Sequence, residues 1–380
     1  MRRNVVILIR NAASYDFGGG ERVPVFIARE VEHNSDLCPI VFSRSAKLLD
    51  FAKANGVEHR RTWWWGRQNW SGARVLLIPI YLLWQLVLCG YYVVLFIRYR
   101  PSVVHLQSKD DFIAGTFAAR LLNIRVLWSD YADLKHIFMN HRVWYKNPIG
   151  KLVYFAAHFT ETIIVVSNED KRLICVHLPD GVIREKMQVI YYGAFDTYKK
   201  PEKHEVFTFV SSSRIVTDKG IKELIEAFNM FHAKHPESNL HILGDGPERE
   251  SFESMAKANP AITFLGHQTK PLEYVTKAHV FIIPTYHEGF SIALVEACML
   301  GMPIIATSVG GNGEIIHDMQ TGLLVPVRDS IALYEAMEKL YSDSSLRIRL
   351  GQQARAQYLD LFVFDRIVKE RLIPLYETAD

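Results

Sequence analysis

Short, β-branched apolar runs recur along this chain, separated by longer stretches in which apolar residues return at helical spacing. The first series reads VVILI (5–9), PIVFS (39–43), VVHLQ (103–107), RVLWS (125–129), TIIVVS (162–167) and MQVIY (187–191). After a polar stretch the pattern restarts with FTFVSSS (207–213), NLHILG (239–244), ITFLG (262–266), VFIIPT (280–285), PIIAT (303–307) and GLLVP (322–326). Runs that are apolar throughout, rather than alternating, read as strands covered on both faces, and helices between them make the sheet parallel. Two such series predict an α/β protein of two doubly wound, Rossmann-like domains. The charged, proline-bearing TYKKPEKHE (197–205) has no period and marks the break. We place the first domain at 1–198, the second at 206–360 and a C-terminal helix at 361–380. Ligands of such sheets bind beyond the carboxyl ends of the strands, so two domains facing each other across a cleft would hold the site there.

One segment departs from this rhythm. RRTWWWGRQNWSGARVLLIPIYLLWQLVLCGYYVVLFIRYR spans residues 60–100 and carries no charge from Val75 to Ile97. That run is long enough to cross a bilayer. Arg61, Arg67, Arg74, Arg98 and Arg100 flank it, with Trp63, Trp64, Trp65, Trp70, Tyr91 and Tyr92, and membrane interfaces collect such residues. A true span would separate the first two strands from the rest of their own sheet. Two readings remain. One is a buried helix interrupted near Pro79; the other is a helix packed on the first domain with one face in the headgroup layer.

The whole-chain numbers agree with two folded domains. The 380 residues are 49% apolar and 22% charged, enough for two cores without a disordered tract. A net charge of only +3 gives no electrostatic case for nucleic acid. Cys38, Cys89, Cys175 and Cys298 are scattered and form no CxxC pair, which points to a reducing compartment rather than zinc or disulfides. The start, MRRNVVILIRNAASY, has too short an apolar core for a signal peptide and reads as a first strand, so a cytoplasmic chain is expected.

The candidate chemistry gathers in HEGFSIALVEACMLGMPIIAT (287–307). Pro284 and Thr285 end a strand, Ser291 suits a helix N-cap, and Gly301 closes the helix. The free N–H groups of that first turn, with the helix dipole, form an anion site. Gly289 lets the backbone approach a ligand. Glu288 stands just before the helix, and Glu296 lies roughly 7–8 Å inside it at the helical rise. A diphosphate at the N-terminus would have a hydroxyl-bearing ring on either side, one per carboxylate. Arg214 and Lys219 in SSSRIVTDKG (211–220) would supply cations at the same sheet edge. GDGPE (244–248) is a second glycine turn on that edge. In the first domain, SYDFGGGERV (14–23) follows the first strand, and its Gly18, Gly19 and Gly20 would permit close approach from the other side.

These residues bring the sequence to a family. HEGFSIALVEACMLGMPIIAT resembles the E-x7-E signature of retaining glycosyltransferases of family 4, SSSRIVTDKGI its GR…KG segment and ILGDGPERE its GxGP turn. TGLLVPVRDSIALYEAMEKL resembles the stretch after the signature. The likeness is close over residues 205–345 and loose before it. It implies the GT-B fold, with Arg214 and Lys219 on the donor diphosphate and the loop of Gly289, Phe290 and Ser291 on phosphate and sugar. It assigns Glu288 to the donor sugar and Glu296 to the ribose hydroxyls, with Gly19 and Gly20 beneath the donor. The last helix, near Asp365 to Tyr376, would cross back to the first domain. Many relatives carry a histidine after a strand like RVLWS; this chain has Ser129 and Asp130 there. Asp130 is then the candidate acceptor-side catalytic group beside Glu288, with His136 second. His105 reads as a core or strand-end histidine that could also line the cleft.

The expectation is a retaining, nucleotide-sugar-dependent glycosyltransferase of hexosyltransferase type. It would need no metal, since no D-x-D occurs, and no cofactor beyond its donor substrate. Its acceptor would be a lipid-linked saccharide of cell-surface polysaccharide assembly, and the protein would be peripheral on the cytoplasmic membrane face. Two alternatives are an epimerase of the same fold and an idle nucleotide- or lipid-binding subunit.

Overall fold

The computed structural model describes residues 4–11, 19–63, 78–131, 134–139, 148–178, 181–198 and 202–377. Gly18, Trp64, Trp65, Arg67, Trp70, Arg74 and the start of the charge-free run at Val75 lie outside the described residues. The chain divides into two compact units, Met1–Ile190 with Asp365–Asp380, and Tyr191–Phe364.

The first unit contains strands β1 (Asn4–Ile9), β2 (Leu37–Ser43), β3 (His59–Arg61), β4 (Val103–Leu106), β5 (Arg125–Asp130), β6 (Thr162–Val165) and β7 (Met187–Val189). They form one sheet of order β3-β2-β1-β4-β5-β6-β7, with every pairing parallel. Ile7 lies opposite Ile40 on one side and Val104 on the other. Val6, Ile7, Leu8 and Ile9 are all fully buried, so both sheet faces are covered. The covering helices are α1 (Gly19–Asn34), α2 (Ala46–Ala54), α3 (Ile78–Tyr99), α4 (Phe112–Leu121), α5 (Leu134–Phe138), α6 (Pro148–Ala157), α7 (Asn168–His177) and α8 (Gly181–Glu185).

The second unit repeats the plan with β8 (Phe207–Ser212), β9 (Ser238–Leu243), β10 (Ile262–Gly266), β11 (Val280–Ile283), β12 (Ile304–Thr307) and β13 (Leu323–Val325). Their order is β10-β9-β8-β11-β12-β13, again parallel throughout. The period of two is visible in the core. Along β11, Ile282 joins one buried cluster, while Phe281 and Ile283 join another on the opposite face. The helices used below are α9 (Ile221–Lys234), α10 (Arg249–Ala256), α11 (Pro271–Val275), α12 (Ile292–Met299) and α13 (Asn312–Ile315). Residues from Tyr191 onward are held in this unit: Tyr191 stacks on Phe290 at 5.4 Å, and Ala194 bridges to Val363.

Every apolar run named from the sequence contains a strand, and β3 is the addition. Its residues, His59, Arg60 and Arg61, form a polar edge that gives no hydrophobic signal.

Helix α3 is the structural form of the charge-free run. Pro79 stands in its first described turn, where a missing N–H costs little, and the helix then continues to Tyr99 without a break. Tyr81, Gln85, Leu88, Tyr92, Leu95 and Phe96 face the unit's core at spacings of three and four. Ile80, Leu83, Leu86, Val87, Val94 and Ile97 face outward and are exposed. The helix is long and apolar enough to cross a membrane by length and composition.

The C-terminal segment is bound into the first unit by specific polar contacts. Arg125 donates to the carbonyls of Leu375 at 2.7 Å and Tyr376 at 3.2 Å while holding Glu161 with two further bonds. The Tyr376 hydroxyl bonds His105 Nδ1 at 2.7 Å, and His105 Nε2 bonds Ser129 Oγ at 2.7 Å. Burial lowers the His105 pKa to about 3, so this imidazole is a neutral tie inside the core.

Candidate active site

In each sheet the strand order reverses direction once, between β1 and β4 in the first unit and between β8 and β11 in the second. Such a switch point opens a crevice at the carboxyl ends of the two neighbouring strands. The predicted site residues of the second unit stand at that place. Arg214 and Lys219 follow β8; Glu288, Gly289, Phe290 and Ser291 follow β11; Glu296 lies in α12.

The two loops are locked together. Tyr286 N donates to Asp218 O at 2.7 Å, and Thr285 Oγ1 donates to the same carbonyl at 3.1 Å. Gly220 has φ +67°, and a Cβ there would lie 2.0 Å from the Pro284 carbonyl oxygen. Only glycine permits that approach in the left-handed region. On its far side the β11 loop meets the turn before α13. Gly311 N donates to Gly289 O at 3.1 Å, and a Cβ on Gly310 would fall 1.7 Å from Glu288 O. The Glu288 backbone is thus fixed from two directions.

That framework sets an ion pair. Lys219 Nζ lies 2.8 Å from Glu288 Oε2, with the side chains only 13% and 22% exposed. One ammonium proton meets the carboxylate, and two remain for a ligand. The carboxylate likewise keeps accepting capacity. Next to it, α12 begins. Ser291 is buried with extended backbone, and its Oγ accepts from Leu294 N at 3.3 Å. The N–H groups of Ile292 and Ala293 are left at the helix end. Glu296 is half-buried one turn further in, between buried Val295 and Ala297. Phe290 turns its ring inward, stacked on Tyr191 and edge-on to Phe362 at 5.9 Å, so it anchors the loop by packing.

The glycine turn at 244–246 has a definite task. A Cβ on Gly244 would lie 1.8 Å from Ser213 O, and one on Gly246 would lie 2.1 Å from Ile215 O. These glycines let the segment carrying Arg214 close onto the end of β9, where Ile215 N donates to Asp245 O at 2.9 Å. Arg214 itself is exposed. Behind this edge, Tyr286 donates to Glu223 at 2.5 Å, and burial first and that bond second push the phenol up to about 12.

The first unit holds Gly19 and Gly20, in the first turn of α1, and Asp130, at the end of β5. Asp130 is buried, and its Oδ1 accepts from Leu134 N at 3.0 Å, capping α5. His136 is exposed on that helix. Sequence reasoning missed a polar cluster at the β1–β4 switch point. Asn11 Nδ2 bonds Asp111 Oδ1 at 3.0 Å, the Tyr92 hydroxyl donates to the same oxygen at 2.6 Å, and Thr62 donates to Asn11 Oδ1 at 2.6 Å. Arg10 donates to Gln107 O at 2.5 Å and lies over the Tyr131 ring at 4.1 Å, and Tyr131 donates to the Gln107 side chain at 2.9 Å. Burial raises the Asp111 pKa to about 6, against the lowering pull of Tyr92, Asn11, Arg44 and Arg10. Its Oδ2 bonds no described group. The signal was present in QSKDD (107–111), which follows a strand, but paired aspartates after a strand also read as a simple helix start.

Residues 194–357 match the family described as Glycosyl transferases group 1. The chain is 26% identical over 307 residues to the capsular polysaccharide biosynthesis glycosyltransferase CapM of Staphylococcus aureus, covering 75% of this chain and 79% of that protein. It is 30% identical over 279 residues to the putative glycosyltransferase EpsD of Bacillus subtilis, covering 68% and 72%. Among solved structures, Alr3699/HepE of Anabaena, in complex with UDP and glucose, superimposes with TM-score 0.76 at 16% identity over 98% of this chain and 99% of that one. At that identity the likeness establishes the fold, which is GT-B.

The Asp111 environment generates a pH-dependent expectation. The raised carboxyl favours the protonated form in the folded state. The stability it contributes is complete below the ordinary value of 3.8 and is lost as pH rises through about 6. Asp111→Asn should therefore melt close to the parent at pH 4 and above it at pH 7.5, by about 3 kcal/mol for that displacement. Parallel melting curves across pH 4–7.5 would show that Asp111 is not buried as a strained carboxyl.

Proposed function

We propose that this chain, which belongs to the group 1 glycosyl transferases, moves a sugar from a nucleoside-diphosphate donor to an acceptor hydroxyl with retention at the anomeric carbon. The observation that carries this reading is the Lys219–Glu288 pair set beside the N-terminus of α12 at a switch point. The arrangement suits a ligand with adjacent anionic and hydroxyl-bearing parts. Lys219, Arg214 and the helix end attract a diphosphate; Glu288 and Glu296 accept from hydroxyls on either side of it. The UDP and glucose bound by the Anabaena neighbour are of that chemistry.

In the proposed reaction the bond from the anomeric carbon to the diphosphate oxygen breaks. A bond to the acceptor oxygen forms on the same face, and the acceptor proton passes to a phosphate oxygen of the leaving group. Glu288, tied to Lys219, orients the sugar rather than taking that proton. Two cations and a helix end offset the charge that grows on the leaving diphosphate, so the step is proposed to need no metal. Asp130 and Asp111 are the acceptor-unit carboxyls of interest, the first as a fixed cap and the second as a raised acid.

The acceptor is proposed to be a lipid-linked saccharide of cell-surface polysaccharide, met at the cytoplasmic membrane face. The capsular role in the name of the Staphylococcus relative supports the polysaccharide. The outward apolar face of α3 supports the membrane.

Arg214→Ala and Lys219→Ala should each lower turnover about a hundredfold, roughly 3 kcal/mol of lost transition-state stabilisation, while far-UV dichroism stays unchanged. Near-parental turnover in both would move the diphosphate elsewhere. Glu296→Gln should weaken binding of free nucleoside diphosphate by about 1–2 kcal/mol, whereas Glu288→Gln leaves that binding alone and lowers transfer. Calorimetry giving equal losses for the two would refute the division of labour. Proton NMR of the first product should show the donor's anomeric configuration; the opposite configuration would end the retaining assignment.

A further inference from the structure

Outside the site described, the first unit has one feature that folding alone does not account for. Helices α3, α4 and α6 enclose an open groove of about 550 Å³. Leu82 and Leu86 of α3, Ile113 and Phe117 of α4, and Leu152 of α6 line it. That volume lies in the range of sites that bury an organic ligand. The groove is continuous with the exposed face of α3 through Leu86, which is 70% exposed.

Two polar residues narrow the occupant. Gln85 also lines the groove and is only 5% exposed, yet neither its Nε2 nor its Oε1 has a hydrogen-bond partner among the described residues. A buried amide without partners is costly unless a ligand supplies them. Arg120 lies at the same groove, and its guanidinium makes no ion pair or hydrogen bond with any described group. An occupant that matches this lining is apolar over most of its length and offers oxygen acceptors and negative charge to Gln85 and Arg120.

We propose that the α3–α4–α6 groove seats the hydrocarbon chain of a prenyl phosphate, with phosphate oxygens on Gln85 and Arg120. This rests on the reading that the acceptor is lipid-linked, and it assigns that lipid a place on the protein. A docked protein helix has its backbone bonded internally and would bring an apolar face without an acceptor for Gln85. A single groove takes a single chain, which favours a prenyl phosphate over a two-chain glycerolipid. Leu83, Val87 and Val94, outward on α3 beyond the groove, would rest in the headgroup layer and present the groove to lipid.

The test is equilibrium binding of radiolabelled farnesyl phosphate, below its micelle concentration, to the full chain. Leu86→Trp fills the groove, Arg120→Glu reverses its charge, and Val94→Trp enlarges an exposed α3 residue (67% exposed) that does not line it. The first two should weaken binding about tenfold or more, and the third should not. Farnesol should bind more weakly than farnesyl phosphate and be indifferent to Arg120→Glu. Gln85→Leu should narrow the preference for phosphate over alcohol. Donor hydrolysis without acceptor, read on the same preparations, should match the parent in every variant and so report an intact fold. Parental farnesyl phosphate binding in both Leu86→Trp and Arg120→Glu would overturn the proposal, as would a loss matched by Val94→Trp. If those groove variants still glycosylate a lipid-linked acceptor at the parental rate, the groove assignment fails and the acceptor reading stands. If farnesyl phosphate binding tracks the groove but no prenyl-linked saccharide accepts sugar, the acceptor reading fails and the lipid seat stands.

Discussion

The ion pair between Lys219 and Glu288 joins the loops that leave two neighbouring strands, and the candidate site is arranged around it. A pair this far removed from water loses hydration on both partners, so its net worth to stability is small. Its value is positional. It places an ammonium beside the free end of α12 and a carboxylate beside the same point. Removing either partner would leave a part-buried charge without compensation. Three glycines make the geometry rigid: Gly220 against Pro284, Gly310 against Glu288, and Gly244 against Ser213. None can gain a Cβ without moving backbone, so the site is preformed by chain packing rather than gathered by a ligand.

The same topology carries different chemistry in the two units. Both sheets have a switch point, but the second carries the Lys219–Glu288 pair beside the start of α12, whereas the first carries a hydrogen-bonded cluster around Asp111 on which Arg10 and Arg44 also act. Asn11 and Tyr92 donate there to Asp111, whose carboxyl pKa burial raises to about 6. Helix α3 links that cluster to the exterior of its unit. Tyr92 from its inner face reaches Asp111, while its outer face stays apolar and uncovered. The fold therefore spends one helix on both polar chemistry and an apolar surface.

How much of this was legible depends on how local the signal is. Strands buried on both faces announce themselves as apolar runs, and each such run became a strand. The edge strand β3 did not, because His59, Arg60 and Arg61 pair along one side only and face solvent. Ser291 as a cap was legible from type and position, whereas the need for glycine at 220 shows only in its approach to Pro284. The Lys219–Glu288 contact was not, since it joins residues 69 apart in sequence through the strand order. Phe290 illustrates the opposite case: its motif position suggests ligand contact, but its ring is taken by Tyr191 and Phe362. Asp111 was hidden because its chemistry comes from burial and from Tyr92 and Asn11, which are distant in the chain.

The central claim is that a preformed cation pair and a helix end, without a metal, hold a diphosphate in the second unit. Calorimetric titration of the parent protein with UDP, UMP and uridine, each with and without a chelator, tests it most directly. The account predicts that UDP binds at least about a hundredfold more tightly than uridine, with UMP between them, because charge at the helix end supplies the difference. It predicts that the chelator changes none of these affinities. Equal affinities for UDP and uridine, or UDP binding abolished by the chelator, would contradict it.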